Sequence, residues 1–535
     1  MPEQWDYLIL TASNERQAQA YEGQVRLRRE VGLLTRVRDT MVVADLAGRR
    51  IGSGGSTLYC LALVANRERE RRGIGAKGRE TIEELFSGLR VLIVHAGGDS
   101  RRLPAYAPCG KIFVPVPGES HHASGATLFD RLVPALLDLP SGTPGRGQIV
   151  VAAGDALIRF DPSSVELFQP GMTMLGCHAS PEEAARHGVV CIGGGGSVRL
   201  YLQKPPIEEQ KAGGAIDGQG RSVLDVAITS LDAAAASALL EAFEVGPRED
   251  GMLAFSPRMR ETLLARGVDL YREIACAMGT EATLAHYLHT AHGSGSLWED
   301  AALAELLPSL QKIPFHVQVL SQCSFLHFGS TRQLISSGLA LSEHSHGVVP
   351  EAAALSLNNE TRAGGAIHGG DAWVEGCRLR APLGLAGRNA VIGVDVDEPL
   401  SLPEGACLEV AAGRDRGGGP SWFIRCYGIG DTFKDGAYCG RPLAEWLAKA
   451  GASPGDAWAP DVPHEDRSLW NARLFPAEEE HAAYRRWLWM FDPARATNEQ
   501  KAAWIAAERY GCAEIALLAD QEAFYERRAK IRAAE

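Results

Sequence analysis

The stretch VLIVHAGGDSRRLPAYAPCGK, residues 91–111, gives the strongest indication of the fold. An apolar run reaches His95 and is followed at once by Gly97 and Gly98. An apolar run without polar alternation is typical of a strand covered on both faces, and a glycine turn lets the backbone approach a ligand closely. The stretch therefore predicts a buried strand that ends at a binding loop.

Similar apolar runs alternate with helical stretches on both sides of this segment. DYLILTA and TMVVADL precede it, and QIVVAAGD follows it. Strands that alternate with helices predict a doubly wound α/β sheet, in which ligands bind at the carboxyl ends of the strands. We expect this nucleotide-binding type of α/β domain over residues 1–345.

A different period appears in the last third of the chain. Apolar residues recur at every sixth position, separated by glycine-rich turns. This spacing predicts a left-handed β-helix of hexapeptide repeats over residues 346–440, with a β-meander of accidental spacing as the alternative. A helical C-terminal segment is expected over residues 441–535. The apolar series consists of Ile367, Trp373, Leu379, Leu385 and Val391.

The composition argues against several classes of protein. Lys and Arg number 54 against 66 Asp and Glu, a net charge of −12, so we expect no nucleic-acid partner and no anionic membrane surface. No run reaches the ~18 apolar residues of a membrane span, and the start MPEQWDYLIL does not resemble a secretion signal. The 11 cysteines are scattered without a CxxC pair, which favours reduced thiols and a cytoplasmic location.

Cations follow the glycine turn. Arg101, Arg102 and Lys111, together with the amides of Gly97 and Gly98, would neutralise and hold a phosphate group. A tight turn with a solvated basic face is the alternative interpretation.

A carboxylate ends the next apolar run. Asp155 closes VVAAGD, a position where a carboxylate serves a metal or a hydrogen-bond network, or simply caps a turn.

Three further motifs follow in order: HGVV from residue 187, LQKP from residue 202 and LDVAITSLD from residue 224. The succession of glycine-cation loop, GD strand end, QKP and acidic strand start resembles the sugar-1-phosphate nucleotidyltransferases. The resemblance implies that Gly97, Gly98 and Arg102 hold the nucleotide, that Lys111 lies near its α-phosphate, that Asp155 and Asp225 bind Mg²⁺, and that Lys204 meets the sugar phosphate.

The chain is most similar to one branch of that superfamily. RIGSGGSTLYCLA, HAGGDSRRLPAYAPCGK, FLHFGST and SLWNARLFP resemble the L-fucokinase/fucose-1-phosphate guanylyltransferase family, from about residue 5 to about residue 475. The resemblance implies formation of GDP-L-fucose from GTP and L-fucose 1-phosphate, with Gly54 and Gly55 beside the base and Gly188 near the sugar. We expect no sugar-kinase domain after this unit, and a homo-oligomer is compatible with the β-helix.

Three positions depart from the superfamily pattern. Gln203 replaces a glutamate, while Ser100 and Ala227 stand where glycines are usual. Because Ala227 could narrow the sugar pocket, the same chemistry on another sugar 1-phosphate is one alternative. A nucleotide-sugar binding or regulatory module without turnover is the other.

Overall fold

The computed structural model describes residues 4–75, 78, 80–98, 100–120, 125–346, 354–434 and 436–534, with residues 343–346 described by their backbone alone. The chain divides into two compact units. The first comprises Met1–Gly98, Leu132–Gly154 and Ile158–Phe325, and the second comprises Asp99–Arg131, Asp155–Leu157 and Leu326–Glu535. The boundaries at residues 345 and 440 stay a prediction.

The first unit is built on a nine-stranded mixed sheet. Trp5–Ala12 pairs in parallel with Val37–Ala44 and Arg90–His95, and Arg90–His95 pairs in parallel with Gln148–Ala153. The chain thus forms a mixed α/β structure with parallel strands, as predicted. The main path across the sheet is Phe315–Leu320, Met172–Ala179, Ser222–Leu231, Gln148–Ala153, Arg90–His95, Trp5–Ala12, Val37–Ala44.

The other half of the sheet is antiparallel in part. Ser222–Leu231 runs antiparallel between Gln148–Ala153 and Met172–Ala179. The hairpin of Gly188–Ile192 and Val198–Gln203 also joins it. The predicted hairpin ending in QKP is therefore present, and its end lies beside the strand that contains Asp225.

Apolar runs form the strands because both faces of the sheet are covered. Residues Val91, Leu92, Ile93 and Val94 are fully buried. The helices within the first 325 residues are Glu15–Glu30, Gly52–Arg71, Ile82–Phe86, Leu128–Leu137, Pro181–Ala184, Ile207–Ala212, Ala233–Ala242, Pro257–Arg266, Cys276–Met278, Leu284–Gly293 and Asp300–Leu310, with the π-helix Leu270–Ala275. Short strands lie at Ala156–Arg159, Val245–Pro247, Leu253–Phe255 and Ser324–His327.

The second unit contains three sets of short strands that pair in parallel, and successive strands along the chain belong to each set in turn. Trp373 pairs with Leu355 and with Ala390, which lie 18 and 17 positions away. The chain therefore forms a three-sided coil of short parallel strands. One turn of the coil contains about three of the predicted six-residue repeats. Its strands are Ala354–Leu357, Glu360–Thr361, Ala366–His368, Ala372–Glu375, Arg378–Leu379, Pro382–Leu385, Asn389–Ile392, Asp395–Val396, Leu400–Leu402 and Ala406–Arg414.

The six-residue series lies in successive strands of this coil. Trp373, Leu379, Leu385 and Val391 are buried, and Ile367 is half-buried. Apolar side chains at this spacing therefore fill the interior of the coil.

A hairpin ends the coil. Ala406–Arg414 pairs in parallel with Asn389–Ile392 on one side and antiparallel with Pro420–Gly428 on the other. Phe475–Glu478 and Arg509–Tyr510 extend the same sheet. Other elements of residues 326–535 are the helices Thr331–His346, Leu443–Ala450, Asn498–Ala506, Cys512–Leu518 and Gln521–Arg532 and the strands Ala437–Tyr438 and Arg441–Pro442.

Among the residues described, the helices lack the length and the apolar composition that a bilayer-spanning segment needs.

Candidate functional site

An ion pair joins two of the predicted site residues in the second unit. Lys111 Nζ lies 3.0 Å from Asp155 Oδ2, and the two side chains are 17% and 40% exposed. Burial raises the pKa of Asp155, but the nearby Lys111 ammonium, with His327 and Arg102, outweighs it and lowers the pKa below its usual value. Asp155 is therefore an ionised carboxylate at neutral pH, held beside a fixed cation.

Arg102 and His327 complete this cluster. Both interact electrostatically with Asp155, and burial lowers the pKa of His327 despite the nearby carboxylate. The Arg102 carbonyl accepts a hydrogen bond from the Thr331 amide at 2.9 Å, while the guanidinium is exposed. Gly329 borders this cluster, and a Cβ on it would make ordinary contacts 3.5 Å from Asp155 Oδ2 and 3.6 Å from Arg102 Nη2.

The structure brings Arg102, Lys111 and Asp155 together, and their roles in the reaction stay a prediction. Arg101 precedes Arg102 in the same turn and is half-buried. His327 was missed by sequence reasoning, although the segment FLHFGST contains it and carries the family resemblance.

The amides of the glycine turn are bonded to two hydroxyl groups at the end of the strand Trp5–Ala12 and directly after it. Gly97 N–H donates to Thr11 Oγ1 at 3.4 Å, and Gly98 N–H donates to Ser13 Oγ at 2.6 Å. A Cβ on Gly97 would lie 3.2 Å from the backbone of Ala12, so this glycine allows close packing. Phosphate binding by these amides stays a prediction, and a phosphate would compete with both hydroxyls.

His95 is the last residue of the strand before this turn, and both of its ring nitrogens lie near threonine hydroxyl groups. Its Nε2 lies 2.9 Å from Thr57 Oγ1, and its Nδ1 lies 3.5 Å from Thr11 Oγ1. Burial lowers the pKa of His95 to about 4, so the ring is neutral at pH 7. His95 therefore links the strand to the helix Gly52–Arg71 as an uncharged hydrogen-bonding group.

Gly54 and Gly55 lie in the first turn of that helix and are buried. A Cβ on Gly54 would lie 2.6 Å from Val268 Cγ1, and Gly55 N–H donates to the Val268 carbonyl at 3.0 Å. Packing against residues 267–270 is thus one reason for glycine at position 54, and the contact of both glycines with the base stays a prediction.

An irregular stretch of the sheet presents Asp225. Asp225 faces Gly176 and Thr229 faces Met174, so three residues of one strand oppose a single residue of the other. Such a bulge turns side chains away from the regular pattern. Ala227 lies within it with φ 58°, and its N–H donates to Asp225 Oδ1 at 2.7 Å.

The Asp225 carboxyl is buried, with only 6% of the residue exposed. Tyr201 donates its hydroxyl to Asp225 Oδ2 at 3.0 Å. Burial raises the pKa of Asp225 to about 7, although the bonds from Ala227 and Tyr201 favour the charged form. A cation beside the carboxyl would favour that form further.

Three positions of the predicted site have left-handed backbone conformations that L-residues rarely adopt. Ser100, Lys204 and Ala227 have φ of 54°, 53° and 58°. Such residues cost about 1–2 kcal/mol, and they cluster at functional sites. The departures from glycine noted at Ser100 and Ala227 therefore fall on positions whose backbone favours glycine.

Lys204 directly follows the last strand of the hairpin, opposite His187. Its N–H donates to the His187 carbonyl at 3.0 Å, and its side chain is exposed. Gly188 pairs with Gln203 in the hairpin. A Cβ on Gly188 would lie 1.8 Å from the Tyr201 hydroxyl oxygen, so glycine makes room for this phenol. Tyr201 was missed by sequence reasoning because nothing in its alternating strand marks it.

The two predicted metal ligands lie in different units, Asp225 in the first and Asp155 in the second. Within the described part of the chain, no three His, Cys, Asp or Glu side chains form a metal centre of their own. Mg²⁺ usually takes one or two carboxylates and completes its shell with water and substrate phosphates, and its binding by these residues stays a prediction. Each carboxylate oxygen has two lone pairs, so the hydrogen bonds already present leave capacity for a cation.

Comparison with known proteins gives consistent matches. The family model of the fucose pyrophosphorylase domain matches residues 83–480. The bifunctional fucokinase/GDP-fucose pyrophosphorylase of Arabidopsis thaliana is 27% identical, with 96% of this chain and 50% of that protein covered. The L-fucokinase/L-fucose-1-P guanylyltransferase of Bacteroides fragilis is 25% identical, with 92% and 48% covered.

A shorter relative matches over part of the chain. The fucose-1-phosphate guanylyltransferase of Mus musculus is 25% identical, with 62% of this chain and 56% of that protein covered. The chain spans about half the length of the curated relatives it matches.

Proposed function

Because the chain belongs to the fucose pyrophosphorylase family, we propose that it is a sugar-1-phosphate guanylyltransferase. It forms GDP-L-fucose and pyrophosphate from GTP and L-fucose 1-phosphate. The observation that supports this most is that the family match includes both the Arg102–Lys111–Asp155 cluster and Asp225.

In the reaction, an oxygen of the sugar phosphate attacks the α-phosphorus of GTP in line. The bond from that phosphorus to the oxygen bridging to the β-phosphate breaks, and pyrophosphate leaves with the bond electrons. No protein group has to form a covalent bond, so the protein acts by positioning the two anions and by stabilising the charge of the transition state.

The cations divide this task. Lys111 Nζ lies 3.0 Å from Asp155 Oδ2, so the lysine side chain is already ordered before GTP binds. Its ammonium therefore meets the α-phosphate region at a smaller loss of conformational entropy. The exposed Arg102 is suited to the leaving pyrophosphate, because a guanidinium binds phosphate oxygens in pairs. Arg101 and the amides of Gly97 and Gly98 contribute to the same phosphate site, and Gly54 and Gly55 lie beside the base.

The hairpin of Gly188–Ile192 and Val198–Gln203, with Lys204 after it, binds the sugar 1-phosphate. Lys204 is exposed and held by a left-handed backbone at the strand end, which suits a cation that meets the sugar phosphate. Gly188 pairs with the neighbouring Gln203 and belongs to the same substrate side.

Asp155 and Asp225 would hold Mg²⁺. When bound, this ion neutralises phosphate charge and orients the phosphates. Asp225 needs a cation to remain fully ionised, since burial raises its pKa to about 7 despite its two hydrogen bonds.

We also propose that the three-sided coil is a left-handed β-helix, followed by a helical C-terminal segment. The parallel pairing of Trp373 with residues 18 and 17 positions away supports it. The net charge of −12 supports the absence of a nucleic-acid partner, and the 11 scattered cysteines support a cytoplasmic location. A homo-oligomer is compatible with the β-helix.

The test is pyrophosphate release, with and without Mg²⁺, over a grid of nucleoside triphosphates and sugar 1-phosphates. Mg²⁺-dependent release with GTP and L-fucose 1-phosphate is expected. Release with another pair would retain the chemistry and change the substrate. No release from folded protein would favour a binding module without turnover.

A pair of variants ties the activity to the cluster. Asp155→Asn should lower kcat at least about a hundredfold, because Lys111 and the metal lose a charged partner. The matched control is Asp161→Asn, since Asp161 is an exposed residue that caps a short 3-10 helix. Equal rates for the two variants would remove Asp155 from the mechanism.

A further inference from the structure

Tyr201 is a buried phenol whose hydroxyl reaches a predicted functional carboxyl. The residue is 1% exposed, and its hydroxyl oxygen lies 3.0 Å from Asp225 Oδ2. The other oxygen of Asp225 accepts the Ala227 N–H at 2.7 Å. Each carboxyl oxygen therefore has one donor, and together the two donors fix the rotation of the group about its Cβ–Cγ bond.

The phenol ring is held from two sides. It stacks on Tyr271, with ring centres 6.2 Å apart and an angle of 18° between the ring planes. The centre of the Phe315 ring lies 6.4 Å from the centre of the Tyr201 ring. Tyr271 follows Asp269, whose carboxylate accepts the Tyr271 N–H at 3.0 Å. Asp269 also accepts the hydroxyl of Ser53 at 3.0 Å, which ties this packing to the start of the helix Gly52–Arg71.

A glycine provides the space that the hydroxyl occupies. A Cβ on Gly188 would lie 1.8 Å from the hydroxyl oxygen and 2.4 Å from Cζ of Tyr201. No other residue type could occupy position 188 without displacing the phenol. Gly188 has an ordinary backbone conformation, since it is not among the residues of positive φ, so conformational freedom is not the reason for glycine here.

We propose that Tyr201 is a positioning residue that orients the Asp225 carboxylate for the metal-assisted reaction, and that Gly188 serves this function by admitting the Tyr201 hydroxyl. The inference rests on the proposed function, and it gives Gly188 a role other than direct substrate contact. Catalytic groups must be held in a narrow range of geometries, so a carboxylate that loses one of its two donors is held less precisely and loses rate.

The first variant is Tyr201→Phe, which removes the hydroxyl and keeps the ring against Tyr271 and Phe315. Its matched control is Tyr287→Phe in the same unit. Tyr287 is also fully buried, and its hydroxyl donates to the Glu273 carbonyl at 2.6 Å. Both variants lose one buried hydrogen bond, so a merely structural contribution should lower their melting temperatures by similar amounts.

Turnover with GTP, L-fucose 1-phosphate and Mg²⁺ distinguishes the two variants. Tyr201→Phe should lower kcat about tenfold with the KM for GTP changed less than about twofold, while Tyr287→Phe should keep kcat within about twofold. Binding of Mn²⁺–GTP, followed by EPR without the sugar phosphate, provides a measurement independent of turnover. Tyr201→Phe should broaden or weaken the signal of the protein-bound ion, and Tyr287→Phe should leave it unchanged.

Gly188→Ala is the second variant. It should lower kcat at least as much as Tyr201→Phe, because its methyl group displaces both the hydroxyl and the ring. The outcomes separate the two hypotheses. A wild-type protein without turnover would refute the proposed function. An active wild type with equal kcat values for Tyr201→Phe and Tyr287→Phe, or an active Asp225→Asn variant, would overturn the positioning role.

Discussion

Replacing Arg528 by alanine should destabilise the second unit strongly. The Arg528 side chain is 2% exposed and pairs with Glu375, whose side chain is 0% exposed. Arg528 Nε lies 2.7 Å from Glu375 Oε1, and Nη2 donates to Oε2. Tyr106 and Asn358 donate further hydrogen bonds to the same carboxylate, at 3.1 and 3.2 Å.

The size of the effect follows from what remains after the substitution. Removing one partner of a buried ion pair leaves an uncompensated charge, which costs about 3–5 kcal/mol. The two neutral donors still solvate Glu375, and each contributes about 1 kcal/mol. The lower end of that range, about 3 kcal/mol, is therefore expected for Arg528→Ala.

Urea denaturation measures this loss. Tryptophan fluorescence follows the region directly, because Trp373 Nε1 donates to the Tyr106 hydroxyl at 2.9 Å. The matched control is Arg362→Ala, which breaks a pair with Glu360 in which the arginine side chain is 63% exposed. Surface pairs contribute about 0–1 kcal/mol, so the control should shift the midpoint little.

A double variant tests the cause of the loss. Arg528→Met with Glu375→Gln removes both charges and should recover most of the stability, since the penalty arises from the unpaired carboxylate. The reasoning is refuted if Arg528→Ala unfolds at the same urea concentration as Arg362→Ala. It is also refuted if the double variant is as unstable as Arg528→Ala.

Three further predictions concern the first unit. Ala227→Gly should raise stability by about 1 kcal/mol in thermal denaturation with EDTA present, because glycine adopts φ 58° without strain; an unchanged or lower melting temperature would contradict this. Lys204→Ala should raise the KM for L-fucose 1-phosphate far more than the KM for GTP, and equal changes would exclude a contact with the sugar phosphate. His95 has a folded pKa of about 4, below its ordinary 6.5, so the unfolded state binds more protons between these values and stability falls as the pH drops through them. Between pH 6.5 and pH 5 the loss is at most about 2 kcal/mol, since this range covers only part of the interval between the two pKa values. His95→Gln should flatten that dependence in urea titrations, and an unchanged slope in this variant would exclude His95 as its cause.

Much of the fold follows from local patterns. The apolar runs ending at His95 and at Ala153 are strands, and the six-residue series from Ile367 lies inside the parallel coil. The antiparallel position of Ser222–Leu231 could not be predicted, because pairing partners distant in sequence decide it and its own residues suit either direction.

The candidate site was predicted in the same way, by type and order of residues. Lys111 and Asp155 form an ion pair, which their order in the sequence did not predict because Lys111 lies in a short 3-10 helix distant in sequence from Asp155. Tyr201 and His327 were missed, since a phenol or an imidazole in an apolar strand has no distinctive neighbours in sequence. The left-handed backbone of Ala227 could not be predicted either. The only sequence signal was an alanine at a position where the superfamily usually has glycine.

The hairpin that ends the parallel coil has a consequence for assembly. A coil of parallel strands has an open end where hydrogen-bonding groups face solvent, and identical ends can stack into fibres. Pro420–Gly428 covers the last strand of one face by pairing with Ala406–Arg414 in the opposite direction, and Phe475–Glu478 pairs beyond it. A second molecule therefore cannot continue that sheet in register, and the hairpin protects the coil against polymerisation through this end.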